Sequence, residues 1–308
     1  MMRVSTSMIY DQGVSALQRQ SAALLYTGQQ IATGRKILTP ADDPIASARA
    51  LDVTQSRSVN QQFITNQGYA EDALTLVEGQ LVGAGEIIQY ARERVLAAGN
   101  PALSQSDRQS IATDLRAQFD AMLAIANTRD ANGDYLFAGF KSNTSPFAKL
   151  TADPTNPAAF DSVRYDGDQG TRTMQVSSSR LMPVSFGGTQ VFGSENGGVF
   201  AALGEFINAL ERGSNLGPAV GDALDKLDAS LDQVLTVRAQ IGSQLVEVEQ
   251  LGFIGSDLDL QYATTLSNLQ DLDFNEAISR LTQQQTFLQA AQQSFLRITG
   301  LSLFNYLS

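Results

Sequence analysis

Asp42 and Asp43 are the first residues in this chain whose types and spacing could do chemistry, since adjacent carboxylates can hold a cation or share a proton. Pro44 follows them directly. A carboxylate at a helix N-cap accepts orphan backbone N–H groups, and proline at the first helical position has none to lose, so the pair reads as a loop and a cap. Asp166-Gly167-Asp168 has the opening of a calcium loop, but the later ligand positions, including the terminal Glu, are absent at the required spacing. It reads as a turn. Asp153, Asp161, Asp166 and Asp168 share one stretch, yet each sits among turn-forming residues and they do not make a convergent ionisable cluster. No catalytic, cofactor-binding or metal-binding residue is predicted, and an enzyme is not expected.

Composition points the same way. The 308 residues contain no Cys, no His and no Trp, which removes thiol nucleophiles, imidazole bases, disulfides and the commonest zinc ligands together. A net charge of -11, from 21 Lys+Arg against 32 Asp+Glu, repels nucleic acid and anionic lipid. The densest basic spots, Arg35-Lys36 and Arg92-Glu93-Arg94, are read as ordinary solvated faces. Nucleic acid and membrane are therefore not expected partners. The first residues, Met1 to Met8, lack the apolar core of a cleavable secretory signal, and no apolar run approaches the ~20 residues of a membrane span. A soluble chain is expected, and export, if any, by a route needing no such signal.

Hydrophobic spacing carries the positive information. Tyr10, Leu17, Leu24 and Ile31 recur every seven residues, with Val14 and Ala22 or Leu25 beside them, as in a coiled-coil seam. This helix should stop at Gly34. A second helix is predicted from about Pro44 to Ala98, with Leu74, Val77, Leu81, Ala84, Ile88, Ala91 and Val95 on one stripe. Ser104 or Ser106 should cap a third, carrying Ile111, Leu115, Phe119, Met122 and Ile125 up to the Asn132-Gly133 turn.

The period then changes. Tyr135 to Gly139 reads as a short strand, and Val163 to Tyr165 with Thr173 to Val176 reads as a hairpin around Asp166 to Gly170. Helices resume over Val199 to Arg212, capped by Gly213, and over Pro218 to about Gln250. A last helix is predicted over Asn275 to Ile298, with Phe274, Leu281, Leu288 and Phe295 again every seven residues.

The fold class expected is mainly α with a β-rich insert: an elongated nested helical hairpin in which the N- and C-terminal helices pair as a coiled coil and the β domain lies at the tip. The expected parts are a terminal domain (1–43 and 257–308), a helical bundle (44–147 and 199–256) and the insert (148–198). About ten large apolar residues on the outer helices fall short of the entropy cost of ordering both ends, so the terminal pair should be mobile in the monomer and order against neighbouring subunits. Tyr10, Leu17, Leu24, Ile31, Phe274, Leu281, Leu288 and Phe295 are the candidate assembly residues.

Gln30-Ile31-Ala32-Thr33-Gly34-Arg35-Lys36-Ile37 with Asp42-Asp43-Pro44, and Asp271-Leu272-Asp273-Phe274-Asn275-Glu276-Ala277-Ile278 with the Gln-rich helix ending in Leu301 to Leu307, resemble the two terminal signatures of the flagellin superfamily. Gly133-Asp134-Tyr135-Leu136-Phe137-Ala138-Gly139, leading to Thr144-Ser145-Pro146-Phe147, looks like its hook-associated branch rather than filament flagellin. The resemblance covers roughly 1–147 and 200–308. It implies a structural part of the bacterial flagellum that joins hook to filament by self-assembly through its terminal helices. The alternative is a filament-forming flagellin. The implied partners are further copies of the chain in a ring, a neighbouring hook-associated protein, flagellin, and an export chaperone bound near the carboxy terminus. The implied location is extracellular, on the flagellum, after type III export. A coiled-coil signalling adaptor would need a membrane span or an output module, and the sequence displays neither.

Overall fold

A computed structural model describes residues 6–151, 160–195, 197–213 and 216–307. Met1 to Ser5 and Asp153 lie outside the described residues. In chain order the elements are α1 (Thr6–Thr33), α2 (Pro44–Ala98), α3 (Gln105–Ala126), β1 (Phe147–Leu150), β2 (Ser162–Tyr165), β3 (Thr173–Ser177), β4 (Arg180–Pro183), α4 (Gly188–Phe192), α5 (Val199–Arg212), α6 (Leu216–Gln270) and α7 (Phe274–Leu307). The chain is mainly α with a β-rich insert. It divides into two compact units, Met1–Val59 with Asp257–Ser308, and Asn60–Ser256, and the division falls inside α2 and α6.

In the unit Asn60–Ser256, α2 and α6 run antiparallel. Ion pairs tie Glu78 to Arg238 and Arg92 to Asp228, so numbers rise along one helix as they fall along the other. The predicted α2 stripe, Leu74 to Val95, is 0–2% exposed at every position. Leu227, Val234, Ile241 and Val248 of α6 and Leu115, Phe119 and Met122 of α3 are buried in the same core. Phe119 meets Phe200 of α5 edge-on at 5.4 Å, and Arg116 pairs with Glu211. The helix ends follow local rules. Ser104 and Asp107 form a reciprocal capping box at α3, and Gly213 closes α5 in the left-handed conformation with its N–H donating to the Ala209 carbonyl.

The insert corrects two expectations. Tyr135 to Gly139 is not a strand: Gly139 has φ +71, the Phe137 carbonyl accepts from Gly188 N, and the Ala138 carbonyl accepts from Asp168 N. The hairpin of 163–165 with 173–176 does not form either. β2 pairs antiparallel with β1, Val163 opposite Lys149, and β3 pairs with β4, Met174 opposite Met182. Asp168 is the physical reason. Its Oδ1 accepts from Phe140 N (2.8 Å) and Gly170 N (2.7 Å), wrapping 166–170 onto the Gly139 turn instead of folding it as a hairpin loop. β3 is fixed to α2 by Asn66 and Gln67, whose amides donate to the Gln175 and Val176 carbonyls, and β4 is fixed to α6 by a bidentate Arg180–Glu247 pair.

Two helices outrun their predicted ends. α6 continues from Gln250 to Gln270, and Gly255 within it is a buried packing position rather than a stop. A Cβ on Gly255 would meet Ile64 at 2.9 Å, and the Gly255 carbonyl accepts from the Asn60 amide. α7 continues past Ile298 to Leu307.

Candidate assembly interface

In the unit formed by the two chain ends, α1 packs against α7 along its length. The pair is antiparallel. The Tyr10 and Phe295 rings lie 5.3 Å apart, the Gln20 amide donates to the Gln284 backbone carbonyl at 3.4 Å, and Phe274 approaches Gly34. That register sets the two predicted stripes level with one another: Tyr10 with Phe295, Leu17 with Leu288, Leu24 with Leu281 and Ile31 with Phe274. All eight candidate residues fall on this seam.

Their burial is incomplete. Leu17, Leu24, Ile31, Leu281, Leu288 and Phe295 are half-buried, while Tyr10 and Phe274 are 53% and 50% exposed. Leu25, expected beside the seam, faces solvent, as do Ile278, Phe287 and Leu296 of α7. The most deeply buried residues of the pair are ones that apolar patterning passed over: Thr27, Gln30 and Ala277. Thr27 and Ala277 occupy the other seam position, between the Leu layers, where Gly13, Gln20, Ala291 and Gln284 also fall, while Gln30 lies beside Ile31 and faces the linker, donating to the Lys36 carbonyl. The signal that finds Thr27 and Ala277 is the heptad itself, read for its second position whatever residue stands there.

The linkers that enter and leave this pair are joined by backbone. Leu272 N donates to the Gly34 carbonyl (2.9 Å) and Lys36 N to the Gln270 carbonyl (2.8 Å), a short antiparallel bridge between Arg35 and Asp271. Gly34 makes it possible with φ +69, which a residue bearing a Cβ adopts only with strain. Gln30 donates to the Lys36 carbonyl (2.6 Å), and the Lys36 ammonium to the Asn268 carbonyl (2.8 Å).

The acidic pair beside the bridge has the structural role its context suggests. Asp43 Oδ1 accepts from Ala46 N (2.9 Å) and so caps α2, and Asp273 Oδ1 caps α7 in the same way by accepting from Asn275 N and Glu276 N. Asp42 Oδ2 accepts from Thr39 N (2.7 Å) and Leu38 N (3.0 Å), and the carboxylate also bonds to the Tyr26 hydroxyl. These donors, the Thr39 N–H foremost, hold Asp42 below the usual carboxylate range, and burial followed by Asp42 pushes Tyr26 up.

The other aspartates are held as firmly. Asp166 takes a bidentate Arg164 that keeps its pKa low, Asp168 is lowered by the Phe140 and Gly170 amides, and Asp161 lies 3.8 Å from the Lys149 ammonium. Among the described residues no group of three or more His, Cys, Asp or Glu side chains is placed to hold a metal ion, and no helix is long and apolar enough to cross a membrane.

A long antiparallel pair built from both chain ends, joined to further helices that carry an insert, is the arrangement of a flagellin-type protein. The model of the bacterial flagellin N-terminal helical region matches residues 4–142. The chain is 36% identical to the flagellar hook-associated protein 3 of Salmonella typhimurium over 98% of its own length and 99% of that protein's, and 36% identical to the Escherichia coli protein of the same name over the same shares. It belongs to the flagellar hook-associated protein 3 family. Its fold is also that of the flagellar junction protein of Legionella pneumophila, with a TM-score of 0.57 at 20% identity, covering 72% of this chain and 100% of that one.

Proposed function

We propose that this protein is a non-enzymatic structural part of the bacterial flagellum that joins hook to filament, assembling through α1 and α7. The observation that carries the reading is the near end-to-end relation to flagellar hook-associated protein 3 at 36% identity. The half-exposed apolar seam supports the assembly step, since a second shell of subunits would cover Tyr10, Leu25, Phe274 and Ile278. In this reading the eight seam residues are assembly residues. Segments 1–43 and 257–308 form the axial layer, 44–147 and 199–256 the next layer, and 148–198 the insert. The partners are further copies in a ring, a neighbouring hook-associated protein, flagellin, and an export chaperone near the carboxy terminus. The chain works outside the cell after type III export.

Deleting the gene from its motile host tests this. Electron microscopy should find hooks without filaments, with flagellin shed into the medium. Intact filaments would refute the junction role, and long filaments formed by the purified chain unaided would favour the flagellin alternative.

A further inference from the structure

The seam between α2 and α6 changes character along its length. On α2 the seven-residue stripe runs Val95, Ile88, Leu81, Leu74 and then Gln67 and Asn60, and on α6 it runs Val234, Ile241, Val248 and then Gly255. Every one of these residues is buried, so at one end the seam consists of two amides and a glycine in place of aliphatic side chains. Amides and glycine bury little apolar surface, and that stretch of the pair is weakly held by its own contacts.

The same stretch lies beyond the other helices. α3 runs antiparallel to α2, with Asp114 beside Tyr90 and Arg94 and Ile125 beside Gly83, so it ends at Ala126 before residues 60–70 are reached. α5 lies against the opposite end of α6, where Glu205 pairs with Lys226. What crosses the thin stretch is the β3–β4 hairpin, and it reaches both helices. On α2 the Gln67 amide donates to the Val176 carbonyl (2.7 Å) and the Asn66 amide to the Gln175 carbonyl (2.8 Å). On α6 Glu247 takes both arms of the Arg180 guanidinium, at 2.6 and 2.8 Å. The inward side chains of the hairpin, Val176 and Met182, are fully buried in the core that holds Leu74 and Val248.

Gln67 stands where a leucine would continue the stripe. Its Oε1 is buried without a partner, a cost set against the bond that its amide makes to the hairpin. A two-stranded ribbon is marginal alone, so hairpin and helix pair support one another. We propose that the β3–β4 hairpin is a clasp: fixed to α2 through Gln67 and to α6 through Arg180, it keeps residues 60–70 and 245–256 paired where their own seam is too thin to do so. The insert thereby acts within its unit, beside the point at which both helices pass out of it.

Amide exchange on the full-length chain, read by mass spectrometry, tests the clasp because its two attachments lie on different helices. Gln67→Met keeps the length of the side chain and removes the donor on α2, and Arg180→Glu sets a like charge against Glu247 on α6. Gln67→Met should speed exchange about tenfold over both 60–70 and 245–256, the effect of a buried carbonyl left unpaired. Arg180→Glu should do so by about threefold over the same two segments, as the loss of an exposed ion pair allows. Residues 81–95 should keep the parent rate in both variants, and Arg180→Glu combined with Glu247→Arg should restore it on both helices. Faster exchange confined to the helix that carries the broken contact would overturn the clasp and leave the hairpin a local attachment. So would parent rates throughout, with pairing then left to Asn60 and the Arg57–Asp259 pair, or faster exchange at 81–95 as well, which is a general loss of stability. The measurement is made on purified protein, so it stands or falls separately from the junction role.

Discussion

The stripes of α2 and of the terminal pair have the same period and opposite fates. From Leu74 to Val95 every predicted position on α2 is 0–2% exposed, in one core with residues of α3, α5 and α6. From Tyr10 to Ile31 and from Phe274 to Phe295 no predicted position is fully buried, and the buried residues there are Thr27, Gln30 and Ala277. The heptad therefore reports which face is apolar and is silent on how many elements cover it. α2 finds that cover within its own unit. α1 and α7 offer each other one side only, which leaves apolar surface for neighbours.

The contrast can be broken first in the core. Leu81→Ala should destabilise the chain by about 2 to 5 kcal/mol, the usual cost of a buried leucine truncation, read as a lowered midpoint of denaturant unfolding followed by near-UV signal. Ser104→Ala, which removes half of the α3 capping box, should cost about 1 kcal/mol in the same transition. Leu288→Asp lies in the other unit, so it should leave the unfolding transition of the Asn60–Ser256 core within about 0.5 kcal/mol of the parent, yet abolish filament retention in the host. Normal motility with Leu288→Asp would break the comparison, because the seam would then have no assembly role.

The smallest effect is local and depends on pH. Asp42 has its pKa lowered in the fold, so its contribution is fully present above the ordinary carboxylate value of about 4 and is lost as pH falls through the lower folded value. The Leu38 and Thr39 amide resonances should shift together below about pH 4 and not above it. An Asp42→Asn chain should show no such titration.

Much of this was legible in the residues. The bounds of α2, the Asp43 cap, the Gly34 and Gly213 stops and the Ser104 cap all follow from rules that act within one or two turns. That α1 meets α7 follows from two equal heptad periods at the two ends of the chain, whereas the register that sets Tyr10 beside Phe295 is seen only in the contact itself. What stayed hidden depends on contacts distant in sequence. The α6 helix reads as ending near Gln250 until Gly255 is seen packed against Ile64, and Asp166 to Gly170 reads as a hairpin loop until Asp168 is seen bonding Phe140. Gln20 and Thr27 were hidden because apolar patterning discards polar residues, although position alone places them on the seam, and Gln30 was hidden because its partner is the Lys36 carbonyl of the linker.

Amide hydrogen exchange on the full-length chain, in dilute solution and again in assembled hook–filament preparations, tests the difference between the two regions most directly. Residues 70–98 should be protected to the limit of global unfolding in both states. Residues 10–31 and 274–295 should exchange by local opening in the dilute chain and gain protection on assembly. Equal protection of the terminal pair and the α2 core in the dilute chain would contradict the account, because the seam would then be complete without neighbours.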